Sequence, residues 1–185
     1  MTYFDSYRSS LISALSAVDL EKVAQLHEML ATARATGRTI FTCGNGGSAS
    51  TASHFATDLL KGASYGQDAK FRVIALTDAT STISAYSNDV SYDVVYEEQL
   101  KNFIQPDDIV VAISGSGNSE NVVRALTFAT SAGAHAVALT GRDGGKLGKA
   151  AALHINVPEE HMGRIEDAHL ALCHMLAFSF IDAES

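Results

Sequence analysis

Two glycine-rich stretches carry most of the reactive potential of this 185-residue chain. Cys43-Gly-Asn-Gly-Gly-Ser-Ala-Ser50 follows one apolar run and leads into a helical pattern, and Ile113-Ser-Gly-Ser-Gly-Asn-Ser119 repeats the arrangement further on. Glycine lets the backbone take positive φ and approach a ligand, and a helix start offers N–H groups with no intrahelical partner. Asn45, Gly46, Gly47 and Ser48 occupy the first stretch, where Ser48 either caps the helix or donates to an anion. The second interleaves the hydroxyls of Ser114, Ser116 and Ser119 with Gly115 and Gly117. Short donors at that density suit a phosphate monoester held without arginine or metal. The first stretch lacks both the spacing of a dinucleotide fingerprint and the Lys-Ser/Thr of a Walker loop. Gly115-Ser-Gly-Asn-Ser119 does not fit a nucleophile elbow, which argues against a serine hydrolase.

The elements that must position these loops follow from hydrophobic pattern. Thr39–Cys43, Phe71–Leu76, Ile109–Ser114, Ala136–Thr140 and His154–Val157 are short β-rich runs, apolar almost throughout, as strands covered on both faces are. Helical periodicity lies between them at Ser48–Lys61, Val94–Ile104 and Ser119–Ala132. Alternating strands and helices with short connections predict βαβ units, hence a three-layer α/β/α fold with a five-stranded, mostly parallel sheet. One or two extra helices occupy about 4–35, and a last helix runs from about Gly163 to Ile181. That last helix is apolar on nearly every side except at Arg164, Glu166, Asp167, His169 and His174, so a partner subunit is expected to cover part of it. No repeat or Pro-rich linker divides the chain, which reads as one domain over 1–185.

Composition narrows the class. With 13 Lys+Arg against 21 Asp+Glu, the net charge of −8 argues against a broad nucleic-acid surface. No apolar run reaches the roughly 18 residues of a membrane span, and the N-terminus carries Asp5 and Arg8 among its apolar positions, unlike a signal peptide. Cys43 and Cys173 sit in apolar stretches and read as buried thiols of a cytoplasmic protein.

The stretches FTCGNGGSASTASHFATDL, ISGSGNS, LTGRDGGKL and RIEDAHLALCHML, in this order and spacing, resemble the sugar isomerase (SIS) domain, and within it the phosphoheptose isomerases. The resemblance runs from about Leu20 to Ile181. It implies a flavodoxin-like fold, a homotetramer with active sites at subunit junctions, and often one zinc ion. It also implies the conversion of sedoheptulose 7-phosphate to D-glycero-D-manno-heptose 7-phosphate through a cis-enediol. By position, Ser114, Ser116 and Ser119 would hold the phosphate, helped by Asn45 and Ser48, and Asp89 would face the sugar. His54, Asp58, Glu166 and His174 would hold the metal, with Asp58 and His174 as the acid/base pair. Three positions depart from the family pattern: Asp58 replaces the usual Glu, Glu166 the usual Gln, and Gly62 stands where many members have Arg, with Lys61 adjacent. Members acting on other sugar phosphates, or binding them without catalysis as a replication-initiator partner does, are the alternatives.

Spacing bears on the metal set. His54 and Asp58, four residues apart on a helix, share a face. Glu166 and His174 on one continuous helix would stand about 12 Å apart along its axis, so they share a metal only by reaching from two sides, unless the helix begins after Glu166. Spacing alone favours His169, three residues from Glu166; the resemblance favours His174. Two imidazoles with carboxylates suit Zn²⁺, Mn²⁺, Fe²⁺ or Ni²⁺. His27, His135, His154 and His161 carry no functional expectation.

Overall fold

A computed structural model describes residues 2–182. The chain enters through two capped helices, α1 (Tyr3–Ser16) and α2 (Leu20–Thr36). At the first, Thr2 and Asp5 form a reciprocal capping box; at the second, the Asp19 carboxylate accepts from the Glu21 and Lys22 amides. Gly37, at φ 68°, ends α2 in the left-handed region. Then follow β1 (Thr39–Gly44), α3 (Gly47–Thr57), β2 (Arg72–Ala75), α4 (Thr80–Asp89), α5 (Glu97–Leu100), β3 (Ile109–Ser114), α6 (Glu120–Ser131), β4 (His135–Gly141), α7 (Gly145–Ala150), β5 (Leu153–Val157) and α8 (Met162–Asp182).

The five strands form one sheet in the order β2-β1-β3-β4-β5, and every pairing is parallel, not merely most of them. Successive residues of β3 show why its run is apolar throughout. Ile109, Val111 and Ile113 pack under α1, α2, α3 and α8, while Val110 and Ala112 pack under the α5–α7 side with Val122, Leu126 and Leu147. The order reverses direction between β1 and β3, so a crevice opens outside their carboxyl ends, the place where sheets of this order bind ligands. Both glycine-rich stretches leave the sheet there.

Two helices were not legible. In α4, Thr-Ser-Thr-Ile-Ser-Ala-Tyr-Ser-Asn-Asp buries no residue and is rich in side chains that disfavour helix, so no apolar period marks it. In α7, glycines mask the single buried anchor, Leu147. The expected helix over Val94–Ile104 is shorter: a 3₁₀ turn at Tyr92–Val94 precedes α5, and turns carry the chain to Ile104, just before Pro106. The expected Ser48–Lys61 helix changes winding after Thr57, becoming a π-helical turn over Asp58–Gly62, with the Ala63 amide bonded to the Asp58 carbonyl at 2.9 Å. No helix among the described residues is long and apolar enough to cross a membrane.

Candidate active site

The two loops at the crevice are built alike. The N-cap positions of α3 and α6 are Gly46 and Ser119, and neither supplies a side-chain cap, in contrast to Thr2 and Asp19 on α1 and α2. The starts of α3 and α6 at the crevice mouth therefore lack a hydrogen bond from an N-cap side chain, although within α6 the Val122 amide donates to Asn121 Oδ1. The hydroxyl of Ser119 lies 3.4 Å from that of Ser114, and Ser114 and Ser48 are buried. Ser116 accepts from the Asn118 amide at 3.2 Å, and the Asn118 side chain closes the turn by donating to the Ser116 carbonyl at 2.8 Å. Gly117, at φ 65°, lets the loop press against α7's entry: the Leu147 amide bonds to its carbonyl at 2.8 Å, and a Cβ there would strike the Gly144 carbonyl oxygen.

The N-terminal turns of α8 lie over both loops. Met162 and Ile165 touch Gly115, and the Glu166 carboxylate rests on Gly47, where a Cβ would come within 2.5 Å of it. Further along, His54 of α3 meets His174 of α8, with their Nε2 atoms 3.1 Å apart. Both contacts advance in the same sense along the two helices, so α3 and α8 run side by side in parallel. The His54 pair lies two turns, about 10 Å, beyond Gly47 on α3.

Asp58 completes a cluster at that level. Its Oδ2 is 3.3 Å from His54 Nε2 and 3.8 Å from His174 Nε2. These contacts lack hydrogen-bond geometry, so Oδ2 is a buried oxygen with no hydrogen-bond partner. Leaving it so costs about 1–3 kcal/mol. Likewise, two imidazole Nε2 atoms at 3.1 Å need either a proton between them or a cation common to both. A tetrahedral zinc site with bonds of about 2.0–2.1 Å has ligand–ligand edges of about 3.3 Å, within the range of the three separations seen, 3.1, 3.3 and 3.8 Å. The donor set therefore fits a divalent ion, which would satisfy all three atoms at once.

Glu166 is not part of that cluster. Because α8 is continuous from Met162, the two-turn separation from His174 holds, and its carboxylate goes to Gly47 instead. His169 lies outside the cluster as well: it is 1% exposed, its Nε2 bonds to the Thr140 carbonyl at 3.0 Å, and its Nδ1 has no partner among the described residues. Burial pushes its pKa down to about 4. Asp89 stands at the exposed end of α4, where it accepts from Asn88 at 2.7 Å, with no contact to either loop. Gly62 packs against Ile181. Cys43 and Cys173 are both buried, and burial raises both thiols, Cys43 to about 12.

Sequence reasoning missed three residues around Asn45: Tyr92, Tyr96 and Asn121, all bonded to its side chain or its neighbour's carbonyl. Asn121 had a signal. It is a polar residue on the face of α6 that otherwise carries Val122, Ala125, Leu126 and Ala129. The tyrosines had none, since a core role reads the same.

A parallel sheet with two glycine-rich helix starts at its switch point places the chain among the α/β proteins whose ligand crevice lies outside the carboxyl ends of the strands. More narrowly, the chain belongs to the SIS domain family, whose model matches residues 2–141. Within that family it is similar to a phosphoheptose isomerase of Shewanella sp. strain ANA-3, 39% identical over 177 residues that cover 93% of this chain and 89% of that one. A probable phosphoheptose isomerase of Thermoplasma acidophilum is 38% identical, covering 86% and 87%. Among solved structures, the phosphoheptose isomerase of Neisseria gonorrhoeae superposes with a TM-score of 0.88 at 33% identity, covering 97% of each chain. That of Francisella tularensis gives 0.89 at 29% identity, covering 98% and 95%.

Proposed function

We propose that this chain is an aldose–ketose isomerase that converts sedoheptulose 7-phosphate to D-glycero-D-manno-heptose 7-phosphate. The observation that carries the reading is the convergence of His54, Asp58 and His174 on one face, beside a phosphate-type loop pair, in a chain whose relatives bear this activity as their name. A sugar-phosphate sensor has no need of such a cluster.

In this reading the phosphate sits at the start of α6, held by Ser114, Ser116 and Ser119 and by main-chain amides, with Asn45, Gly46, Gly47, Ser48 and Gly115 framing it. The open-chain ketose then extends toward the imidazoles. Asp58 removes a proton from C1 as the C2 carbonyl oxygen takes one from His174, giving the cis-enediol. Asp58 then returns its proton to C2 while the C1 hydroxyl gives its own to His174, leaving the aldehyde and both side chains in their starting states. A zinc ion held by His54, Asp58 and His174 would supply charge stabilisation for the enediolate oxygens. Glu166, lying against Gly47, would contact sugar hydroxyls.

His54 and His174 are 48% and 41% exposed, and apolar side chains stand out from the same helical layer: Tyr3, Phe4 and Ile12 of α1 and Met175 and Phe178 of α8. A cytoplasmic homotetramer, with subunits packed over these faces, would enclose the cluster and dry it. The test is direct: purified protein with sedoheptulose 7-phosphate, followed by ¹³C NMR for an aldose phosphate, beside a panel of hexulose and pentulose phosphates. Turnover of the heptulose above the others is expected. No aldose from any ketose phosphate would overturn the assignment.

A further inference from the structure

The side chain of Asn45 is tied to both Asn121 and Tyr92. Its partner Asn121 is 2% exposed, and the Asn121 Oδ1 accepts from the Val122 amide at 3.0 Å, which settles which end of that amide is oxygen. Asn45 must then present Nδ2 to Asn121 Oδ1, at 2.8 Å, and Oδ1 to Asn121 Nδ2, at 3.0 Å. The two amides form a closed reciprocal pair across the crevice floor, from the loop before α3 to the first turn of α6. The Tyr92 hydroxyl donates to the same Asn45 Oδ1 at 2.8 Å. The Tyr96 hydroxyl has one proton and places it on the Gly44 carbonyl at 2.5 Å, with its oxygen 3.2 Å from Asn45 Oδ1. After these bonds, Asn45 retains one Nδ2 hydrogen with no partner among the described residues.

We infer that Tyr92 and Asn121 are positioning residues that act through Asn45, fixing the spacing of the two phosphate loops and aiming the spare Asn45 N–H at the bound sugar phosphate. The inference rests on the reading of the crevice as a sugar-phosphate site. Neither residue touches the substrate. Tyr92 removes the alternative in which Asn45 Oδ1 turns outward and repels an anion, and Asn121 keeps the helix starts of α3 and α6 at a fixed separation. Substrate affinity and KM, not kcat, should carry the effect, because the restraint acts at the anchored end.

A double-mutant cycle on the full-length, metal-loaded protein tests it, read by calorimetric titration of sedoheptulose 7-phosphate and by KM and kcat. Asn45→Ala is expected to weaken binding about tenfold or more, and Tyr92→Phe about fivefold with kcat within about twofold, the loss of one neutral hydrogen bond. In the Asn45→Ala background, Tyr92→Phe is expected to cost nothing further. A second fivefold loss there, or unchanged affinity in either single variant, overturns the inference. Because Tyr92 is 48% exposed, its hydroxyl can be removed without unfolding the protein, whatever becomes of Asn121→Ala. A wild-type protein that binds with this pattern but produces no aldose would overturn the isomerase reading and leave the positioning network standing.

Discussion

Replacing His169 with Gln removes a buried titration while keeping a donor for the Thr140 carbonyl. In the folded protein, burial holds this imidazole at a pKa of about 4, below the ordinary 6.5. Between those two values the unfolded chain binds a proton that the folded one refuses, so stability is complete above about pH 6.5 and declines as the pH falls toward 4. The imbalance amounts to about 2 kcal/mol at pH 5 and about 3 kcal/mol at pH 4, taking about 1.4 kcal/mol per pH unit and half-protonation of the folded state at the lower value. Urea unfolding of wild type and His169→Gln from pH 7.5 to 4 is the assay. The difference between the two curves isolates this group from the other acid-labile contacts, including the Arg164–Glu159 pair, which holds the Glu159 carboxyl down to about 2 and so weakens only below about pH 4.5. The variant should lose about 3 kcal/mol less than wild type over that range, with bound metal content unchanged. Superimposable profiles, or metal lost with the substitution, would refute the assignment of His169 to the core.

Asp58→Asn and His174→Ala should each lower turnover at least a hundredfold and bound zinc in metal analysis at least tenfold, with melting temperature little changed; wild-type turnover in both would remove the proposed chemistry. Gly117→Ala sets a Cβ against backbone at a left-handed φ, and should cost about 2–4 kcal/mol of stability and raise KM for the sugar phosphate severalfold; denaturant unfolding within about 0.5 kcal/mol of wild type would show that the loop is free to move.

How far the site was legible depended on whether its signal was local. The two glycine-rich loops declare themselves in consecutive residues, because glycine freedom, hydroxyl density and a helix start all act within a turn or two. The pairing of His54 with Asp58 was likewise local, a matter of four residues on one helix, although the π turn that follows was not foreseen. Choosing between His169 and His174 was not local. The two differ by five positions on a helix apolar nearly all round, and only the packing of α8 on β4 decides that one bonds to Thr140 and the other meets His54. The surroundings of Glu166 were not local either: its position on the helix follows from the sequence, but not that α8 runs parallel to α3 and brings it to Gly47.

From the residues alone came the strand runs, the layered α/β class, the two loops and the candidate ligands, since each follows from periodicity or from short-range backbone chemistry. Tertiary structure decided the strand order that makes the two loops neighbours, the meeting of His54 with His174 and not with His169, and the Asn45–Asn121 pair between segments 76 positions apart. Contacts of that span depend on how whole elements stack, a sum over many weak apolar interactions that no single stretch of sequence contains.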